Sequence, residues 1–256
     1  MDSGIEEILI ITNSNKHAME NHFDKSYELE ARLTESGKME QVKMIQDIAD
    51  MANIYYIRQK EPKGLGHAVL CAKSFIGDEP FVVMLGDDLN NINNDGEPLT
   101  KQLIESYEQT GASTLAVMRV PHEDTAKYGV INPSKEVTPG LFNVTSFVEK
   151  PDPKKAPSDL AIIGRYVFTP EIFDVLAKTK PGKGGEIQLT DAIDTLNQTQ
   201  RVFAREYMGD RYDVGNKFGW VKTNIEYGLK HPQVKDELRQ YIKELGTKFE
   251  AEDKKK

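Results

Sequence analysis

Short apolar runs alternate with amphipathic segments along the first half of the chain. Residues 5–12 (IEEILIIT) and 53–59 (NIYYIRQ) are rich in branched and aromatic side chains, and residues 81–85 (FVVML) are continuously apolar. Residues 38–51 instead repeat apolar side chains at roughly the helical period. Continuous apolar runs are typical of strands in a parallel sheet covered on both faces. We therefore expect an α/β fold, with crossover units and a mostly parallel mixed sheet flanked by helices.

The pattern changes after Tyr128, where apolar runs become shorter and turn residues more frequent. Short strands are predicted over 129–131, 144–149 and 162–168. We interpret them as a small β-rich lobe beside the sheet. Helices are predicted to open at Thr169-Pro170-Glu171 and to cover 189–198, 217–229 and 232–245. No linker interrupts the pattern, so residues 1–249 are expected to form one domain, followed by a charged, frayed tail at 250–256.

Composition excludes several classes of protein. The chain has 256 residues and a net charge of −8, which argues against a nucleic-acid binder because such proteins present a basic face. Cys71 is the single cysteine, so no internal disulfide can form and a reducing cytoplasm is expected. The apolar runs are too short to span a bilayer, and residues 1–4 do not resemble the start of a signal peptide.

Acidic residues follow two of the predicted strands. Asp87 and Asp88 come directly after 81–85, and the segment 209–215 follows the predicted strand 201–207. In an open parallel sheet, ligands bind at the carboxyl ends of strands, and carboxylate oxygens suit Mg²⁺. Taken singly, each acid also has an ordinary explanation as a turn or helix cap. Together with the glycine-containing turn at 60–66, they favour a nucleotide–metal site modestly.

Seven segments, in family order, resemble the bacterial UTP–glucose-1-phosphate uridylyltransferases. They are QKEPKGLGHA at 59–68, LGDD at 85–88, YGVI at 128–131, VEKP at 148–151, GRYVF at 164–168, GEIQLTDAI at 185–193 and RYDVG at 211–215. The resemblance covers nearly the whole chain and is closer to the uridylyl branch than to the thymidylyl branch. It implies a Rossmann-like nucleotidyltransferase fold in which the β-rich lobe binds the sugar.

The resemblance also implies roles for individual residues. Gln59 would read the uracil edge through its amide, and the backbone at Gly64 would approach the base. Asp87 and Asp213 would hold Mg²⁺. The residues implied for the sugar phosphate are Gly129, Glu149, Lys150, Arg165, Tyr166 and Glu186. Within that set, the two glutamates would accept hydrogen bonds from glucose hydroxyls, and Lys150 would neutralise the phosphate as a catalytic residue with Asp87.

The implied reaction converts UTP and glucose 1-phosphate to UDP-glucose and pyrophosphate. The phosphate oxygen of the sugar phosphate would attack the α-phosphorus of UTP in line, so catalysis would consist of positioning and charge neutralisation. No protein nucleophile is required. We assign no chemistry to the five histidines, which are His17, His22, His67, His122 and His231.

The sequence departs from the family pattern at its start. The family's glycine-rich G-x-G-T-R loop and its K-E-M-L-P stretch are absent, so we expect the first βα unit to be missing. Lost phosphate contacts and unpaired strand edges would then make the chain a weak catalyst that is prone to aggregate.

Two other functions stay open beside the enzyme. One is a non-catalytic sugar-nucleotide-binding homologue, and the other is a related transferase that uses another nucleotide or sugar. A homodimer or homotetramer is possible through the two C-terminal helices. The candidate contact residues are Tyr227, Leu229, Val234, Leu238, Tyr241 and Leu245, which could equally pack on their own sheet.

Overall fold

Residues 2–14, 16–91 and 96–254 are described by a computed structural model of the chain. The chain divides into two compact units, which are treated separately below. The first comprises Met1–Val83 and Asp95–Met208, and the second comprises Met84–Asn94 and Gly209–Lys256. This division concerns packing alone, and a single domain over 1–249 stays a prediction.

The strands and helices alternate along most of the described chain. The strands are β1 (Glu7–Thr12), β2 (Asn53–Arg58), β3 (Phe81–Met84), β4 (Asp88–Asn91), β5 (Thr114–Arg119), β6 (Gly129–Thr138), β7 (Leu141–Glu149), β8 (Leu160–Phe168), β9 (Phe203–Glu206) and β10 (Asp210–Asp213). The helices are α1 (His17–Phe23), α2 (Tyr27–Glu35), α3 (Met39–Ala49), α4 (Leu65–Leu70), α5 (Lys73–Ile76), α6 (Leu99–Thr110), α7 (Ile172–Leu176), α8 (Leu189–Asn197), α9 (Lys217–Gly228) and α10 (Lys235–Asp253).

Most predicted elements are confirmed, and the differences have physical reasons. Helices α1 and α2 were not predicted, and neither buries a side chain that a periodic pattern would reveal. Helix α7 begins only at Ile172, with Glu171 rather than Thr169 at its N-cap. Helix α10 extends to Asp253, so part of the predicted charged tail is helical, and its fraying stays a prediction.

A six-stranded sheet forms the centre of the first unit, in the order β3-β8-β5-β9-β7-β6. Strands β5 and β9 run parallel, whereas β8 is antiparallel to β5, and β7 is antiparallel to both β6 and β9. The sheet is mixed, as expected, but the described ladders correct the expectation that it is mostly parallel. Strands β6, β7 and β8 belong to this same sheet, so the separate β-rich lobe is wrong.

Strands β1 and β2 pair parallel in a two-stranded sheet of their own. Within the described chain, the ladders join β1 to β2 alone and leave β3 at an end of the six-stranded sheet. The apolar side chains of β1 and β3 are therefore only half-buried, although their continuous runs predicted strands covered on both faces. A strand with one neighbour cannot be covered as fully as a central one.

The core of the first unit lies where α6 packs on the six-stranded sheet. One cluster of its buried residues comprises Leu99, Leu103, Ala116, Ile163, Val167 and Tyr207. Strand β8 is buried at every position, which agrees with its largely apolar sequence, although Arg165 is buried with the rest. Burial of one such leucine or isoleucine stabilises the fold by about 1.5–3 kcal/mol.

The second unit contains two short strands that the sequence did not predict. Strands β4 and β10 form an antiparallel ladder in which Asp88 lies opposite Asp213. Their sequences, DLNN and DRYD, lack the apolar alternation by which a strand is predicted. They form strands because each pairs its backbone N–H and C=O groups with those of the other, while most of their side chains are polar. Helices α9 and α10 follow. No helix among the described residues combines the length and apolar character needed to cross a membrane.

Candidate active site

The loop after β2 holds Gln59 in one orientation. The Gln59 side-chain nitrogen Nε2 donates to the Gly64 carbonyl at 3.2 Å and lies 2.9 Å from Nδ1 of His67. Its backbone N–H donates to the Thr12 carbonyl at 2.8 Å. Gln59 is half-buried at the carboxyl end of the parallel β1–β2 pair, where ligands bind in sheets of this kind. The structure thus brings the two residues predicted for uracil, Gln59 and Gly64, into direct contact.

Gly64 requires glycine for two independent reasons. Its φ of +94° is a left-handed conformation that other residues rarely adopt. A Cβ there would also lie 2.7 Å from the Glu186 Cβ and 3.0 Å from the Ile187 carbonyl oxygen, which is closer than packed atoms tolerate. The predicted base-contacting backbone therefore lies against the segment that carries a predicted sugar residue.

Two backbone hydrogen bonds join these segments. The Ile187 N–H donates to the Lys63 carbonyl at 2.8 Å, and the Gly66 N–H donates to the Ile187 carbonyl at 2.9 Å. Both partners are main-chain atoms, so the spacing between Gly64 and Glu186 does not depend on side-chain rotamers. We call residues 63–66 and 186–187, with these two hydrogen bonds, the loop clamp.

The predicted sugar-binding residues Gly129 and Glu149 lie opposite each other in the β6–β7 ladder. Thr190 donates from Oγ1 to Glu149 Oε2 at 2.6 Å, which fixes one carboxylate oxygen. A Cβ at Gly129 would lie 2.9 Å from Thr190 Oγ1 and 3.2 Å from Glu149 Oε2. Gly129 therefore leaves the space that the Thr190–Glu149 pair occupies.

Lys150 adopts a strained backbone conformation directly after β7. Its φ of 46° is the single positive value at a non-glycine residue among the described ranges 2–14, 16–91 and 96–254. The Lys150 N–H donates to the Tyr128 carbonyl at 2.9 Å, and its ammonium Nζ lies 3.5 Å from Glu149 Oε1. Such strain concentrates at functional sites. The Lys150 side chain is partly exposed, which leaves it accessible to the phosphate for which it is predicted.

Two further carboxylates, those of Asp191 and Asp194, lie near Glu149. Burial, the Glu149 charge and the Asp194 charge, in that order, raise the pKa of Asp191 above its ordinary value. Asp194 itself accepts the Phe147 N–H at 2.9 Å. This end of the first unit is therefore rich in acceptors, which suits sugar hydroxyls as donors.

Arg165 and Tyr166 lie within β8 and are 7% and 6% exposed. Arg165 donates to the Gly164 carbonyl at 2.9 Å, and the Tyr166 ring stacks on Phe168 with the centroids 5.4 Å apart. These contacts give both residues a structural role in the core. Their contribution to a sugar pocket stays a prediction.

In the second unit, Asp87 and Asp213 lie on either side of Gly215. A Cβ on Gly215 would lie 2.7 Å from Asp87 Oδ2 and 3.2 Å from Asp213 Oδ1, so the two carboxylates converge on one small space. The Val214 N–H donates to the Asp87 carbonyl at 2.9 Å, and the Gly215 N–H donates to Asp213 Oδ1 at 2.9 Å. The structure thus brings together the two residues predicted to hold metal.

The neighbouring Asp88 forms an ion pair with Arg211. Arg211 donates from Nε to Asp88 Oδ2 at 2.8 Å, and its Nη2 lies 2.7 Å from the same oxygen. Both side chains are largely buried. Asp88 therefore anchors β4 to β10, which leaves the adjacent Asp87 as the carboxylate at the Gly215 space.

An open groove of about 450 Å³ continues from this space along the start of α9. Its lining residues are Val214, Gly215, Asn216, Lys217, Trp220 and Val221. Asn216 caps α9 by accepting the Gly219 N–H at 2.8 Å. The groove shares Gly215 with the space beside the Asp87 and Asp213 carboxylates.

Comparison with known proteins places the chain among characterised sequences. A family model described as nucleotidyl transferase matches residues 1–227. The UTP–glucose-1-phosphate uridylyltransferase 2 of Streptococcus pyogenes serotype M3 is 60% identical over 251 residues, which are 98% of this chain and 84% of that protein. The chain belongs to the nucleotidyl transferase family, with these uridylyltransferases.

Solved structures of such nucleotidyl transferases share the fold. A UDP-glucose pyrophosphorylase complexed with UDP-glucose has a TM-score of 0.82 and 40% identity, over 90% of this chain and 84% of that one. The UTP-bound enzyme of Acinetobacter baumannii has a TM-score of 0.87 and 36% identity, over 95% of this chain and 84% of that one. The predicted α/β nucleotidyltransferase fold and the family resemblance are confirmed.

Three residues that bear on this nucleotidyl transferase site were missed as participants by sequence reasoning. They are His67, Thr190 and Arg211, each of which holds a predicted site residue or its neighbour through a side-chain hydrogen bond. Each lies inside a segment that carries the resemblance, which was a usable signal. Their partners were not predictable, because the partner lies on another segment or depends on a loop conformation.

Proposed function

We propose that the chain binds UTP and glucose 1-phosphate and forms UDP-glucose and pyrophosphate. The loop clamp is the observation that carries this proposal. It holds the base-reading pair Gln59–Gly64 against Glu186, which fixes the spacing between a uracil contact and a glucose contact. A site that recognises both ends of a sugar nucleotide needs such a fixed spacing, since misplacement of about 1 Å reduces the rate of a positioned reaction severely.

In the proposed reaction the chain's own groups position the reactants. Gln59 and the Gly64 backbone hold the base, while Glu149 and Glu186 accept hydrogen bonds from glucose hydroxyls. The Lys150 ammonium neutralises the sugar phosphate, whose oxygen attacks the α-phosphorus of UTP as the bond to pyrophosphate breaks. No proton needs to leave the attacking phosphate oxygen, which agrees with the absence of an assigned histidine base.

Asp87 and Asp213 would hold the magnesium ion in the proposed function. Among residues 2–14, 16–91 and 96–254, no group of three or more His, Cys, Asp or Glu side chains is arranged for a metal. Mg²⁺ commonly uses only one or two carboxylates and completes its shell with water and phosphate oxygens. The small space beside Gly215, bordered by two carboxylate oxygens, matches that donor set. When bound, the ion would neutralise charge on the phosphates.

The test is a titration of UDP-glucose and of UTP onto the full chain, with and without Mg²⁺, by calorimetry. We expect saturable binding of both, and Mg²⁺-dependent tightening for UTP. Asp213→Asn should weaken that Mg²⁺ effect by at least about tenfold, since even indirect metal contacts contribute 10–100-fold. Asp210→Asn is the matched control, because Asp210 lies exposed on the same strand.

A wild-type chain that binds neither nucleotide would contradict the proposal. Pyrophosphate release in the same samples separates the enzyme from a non-catalytic binding homologue, and dTTP and UDP-galactose separate it from a related transferase. The weak turnover expected from the sequence is judged by the same assay.

We further propose self-association through the C-terminal helices. Helix α10 buries none of its side chains within this chain, and Tyr241 is 55% exposed. The exposure of Tyr241 supports this proposal, whereas Leu238 and Leu245 are half-buried within this chain. Light scattering gives the oligomer mass, and a monomer at all concentrations would contradict this. The cytoplasm remains the proposed compartment, since the single Cys71 suits a reducing environment.

A further inference from the structure

We propose that His67 makes the site selective for uracil over cytosine by fixing which end of the Gln59 amide faces the base. The inference rests on the proposed function, because it concerns how that base site reads its ligand. It assigns a positioning role to a histidine that has no other task in the reaction.

The orientation of the Gln59 amide follows from its two neighbours. The Gly64 carbonyl can only accept a hydrogen bond, so the Gln59 atom 3.2 Å from it must be the NH₂ group. The same nitrogen lies 2.9 Å from Nδ1 of His67, so its second hydrogen points at that ring nitrogen. Nδ1 must then offer a lone pair, and the ring proton belongs on Nε2.

Both amide hydrogens of Gln59 are thereby used, and the carbonyl oxygen Oε1 is the end left to meet a base. Uracil presents an N3–H donor on its Watson–Crick edge, which Oε1 can accept. Cytosine presents an N3 lone pair at the same position, which would face Oε1 acceptor to acceptor. A site whose polar groups match one ligand rejects the unmatched ligand because its own groups are left unpaired.

The His67 bond is the shorter of the two that hold the amide. Without an acceptor at position 67, the amide is held by the Gly64 carbonyl alone and rotates more easily. Rotation would present the NH₂ group to the base, which suits cytosine N3. We therefore expect loss of the acceptor to weaken the binding of uridine nucleotides and to strengthen the binding of cytidine nucleotides.

His67 and Gln59 are both half-buried, so solvent does not simply replace this bond. Packing also keeps the pair together. Gly66, next to His67, has no room for a Cβ, which would lie 2.8 Å from the Ile187 carbonyl oxygen. The start of α4 is thus fixed against the loop clamp, and His67 with it.

The test compares UTP and CTP binding in the wild-type chain, His67→Leu and His67→Asn. Leucine removes the acceptor, whereas the Asn Oδ1, bonded to Cγ like Nδ1 of histidine, retains one. The measured quantity is the dissociation constant of CTP divided by that of UTP. We expect this ratio to fall roughly fivefold in His67→Leu, because one hydrogen bond contributes about that factor. In His67→Asn it should stay within about twofold of wild type. A purely structural effect of the substitution would weaken the binding of UTP and of CTP equally.

A second measurement needs no ligand and no variant. Nitrogen-15 NMR of the imidazole should show His67 protonated on Nε2 and unprotonated on Nδ1. Protonation on Nδ1 overturns the proposal, as does an unchanged ratio in a folded His67→Leu that still binds UTP. Either result leaves the proposed function intact. A wild-type chain that binds no uridine nucleotide instead overturns the proposed function, and the base selectivity with it.

Discussion

At the scale of single residues, the proposed magnesium site would depend on the small volume of Gly215. Replacing it with alanine should place a methyl group 2.7 Å from Asp87 Oδ2, in the space that the two carboxylates border. We expect Gly215→Ala to abolish the Mg²⁺ enhancement of UTP binding, with a stability cost of at most about 1–3 kcal/mol from overpacking. Calorimetry with and without Mg²⁺ measures the first effect, and urea unfolding measures the second.

Gly86→Ala is the control for that variant. A Cβ at Gly86 meets nothing within 4 Å, although Gly86 directly precedes Asp87. The Mg²⁺ effect should survive in this variant. Retention of the Mg²⁺ effect in Gly215→Ala would show that the ion does not lie between these carboxylates.

The residue scale also shows why adjacent, chemically identical side chains differ in role. Asp87 borders an open space, whereas Asp88 is 3% exposed and paired with Arg211. The two carboxylate oxygens of Glu149 also have different neighbours, since Oε2 accepts from Thr190 and Oε1 lies near Lys150. The family resemblance identified which residue types matter. The hydrogen-bond partners decide which oxygen is available.

At the scale of elements, the ladder of β4 and β10 depends on the Arg211–Asp88 ion pair. Arg211→Met would leave the Asp88 carboxylate buried without its cation, which typically costs about 3–5 kcal/mol in the free energy of unfolding. We expect the double variant Arg211→Met with Asp88→Leu to recover most of that loss, because both charges are removed. Chemical unfolding of the single and double variants measures the coupling.

A double variant as unstable as Arg211→Met would contradict this explanation and would show that the arginine acts through other contacts. The ladder would matter for the proposed function because its register places Asp213 opposite Asp88, one residue from Asp87. Loss of the ladder should therefore also reduce Mg²⁺-dependent UTP binding. In the double variant that binding should return with the stability.

At the scale of the whole molecule, stability should carry a pH signature from the acidic cluster. The pKa of Asp191 is raised in the folded chain, chiefly by burial and then by Glu149. The folded state therefore holds this proton more tightly than the unfolded state. Stability then falls as the pH rises from the ordinary aspartate pKa through the raised one. Asp191→Asn should remove this decline.

The measurement is the free energy of unfolding of wild type and Asp191→Asn across mildly acidic to neutral pH. We expect the variant to gain stability relative to wild type as the pH increases, and the gain to level off above the folded pKa. Asp78→Asn, at an exposed position, should show no such trend. A difference that is constant with pH would mean that Asp191 titrates alike in both states.

Elements with a strong local pattern were predictable, and elements created by a partner were not. The apolar runs of β1, β2 and β3 and the periodicity of α3 located these elements to within about two residues. Strands β4 and β10 contain polar, turn-like residues and exist because they pair with each other. The sequence also does not predict whether strands pair parallel or antiparallel. The pattern of β8 is that of a buried strand in either case.

Local patterns and motifs are properties of contiguous residues, so the chain's residues alone indicate the class of fold and the family. Through that resemblance they also indicate the candidates Gln59, Gly64, Glu149, Glu186, Asp87 and Asp213. Folding adds that Gly64 lies against Glu186, that Thr190 holds Glu149, and that both aspartates approach Gly215. These are contacts between distant segments. They depend on packing and hydrogen-bond geometry, which no short stretch of sequence encodes.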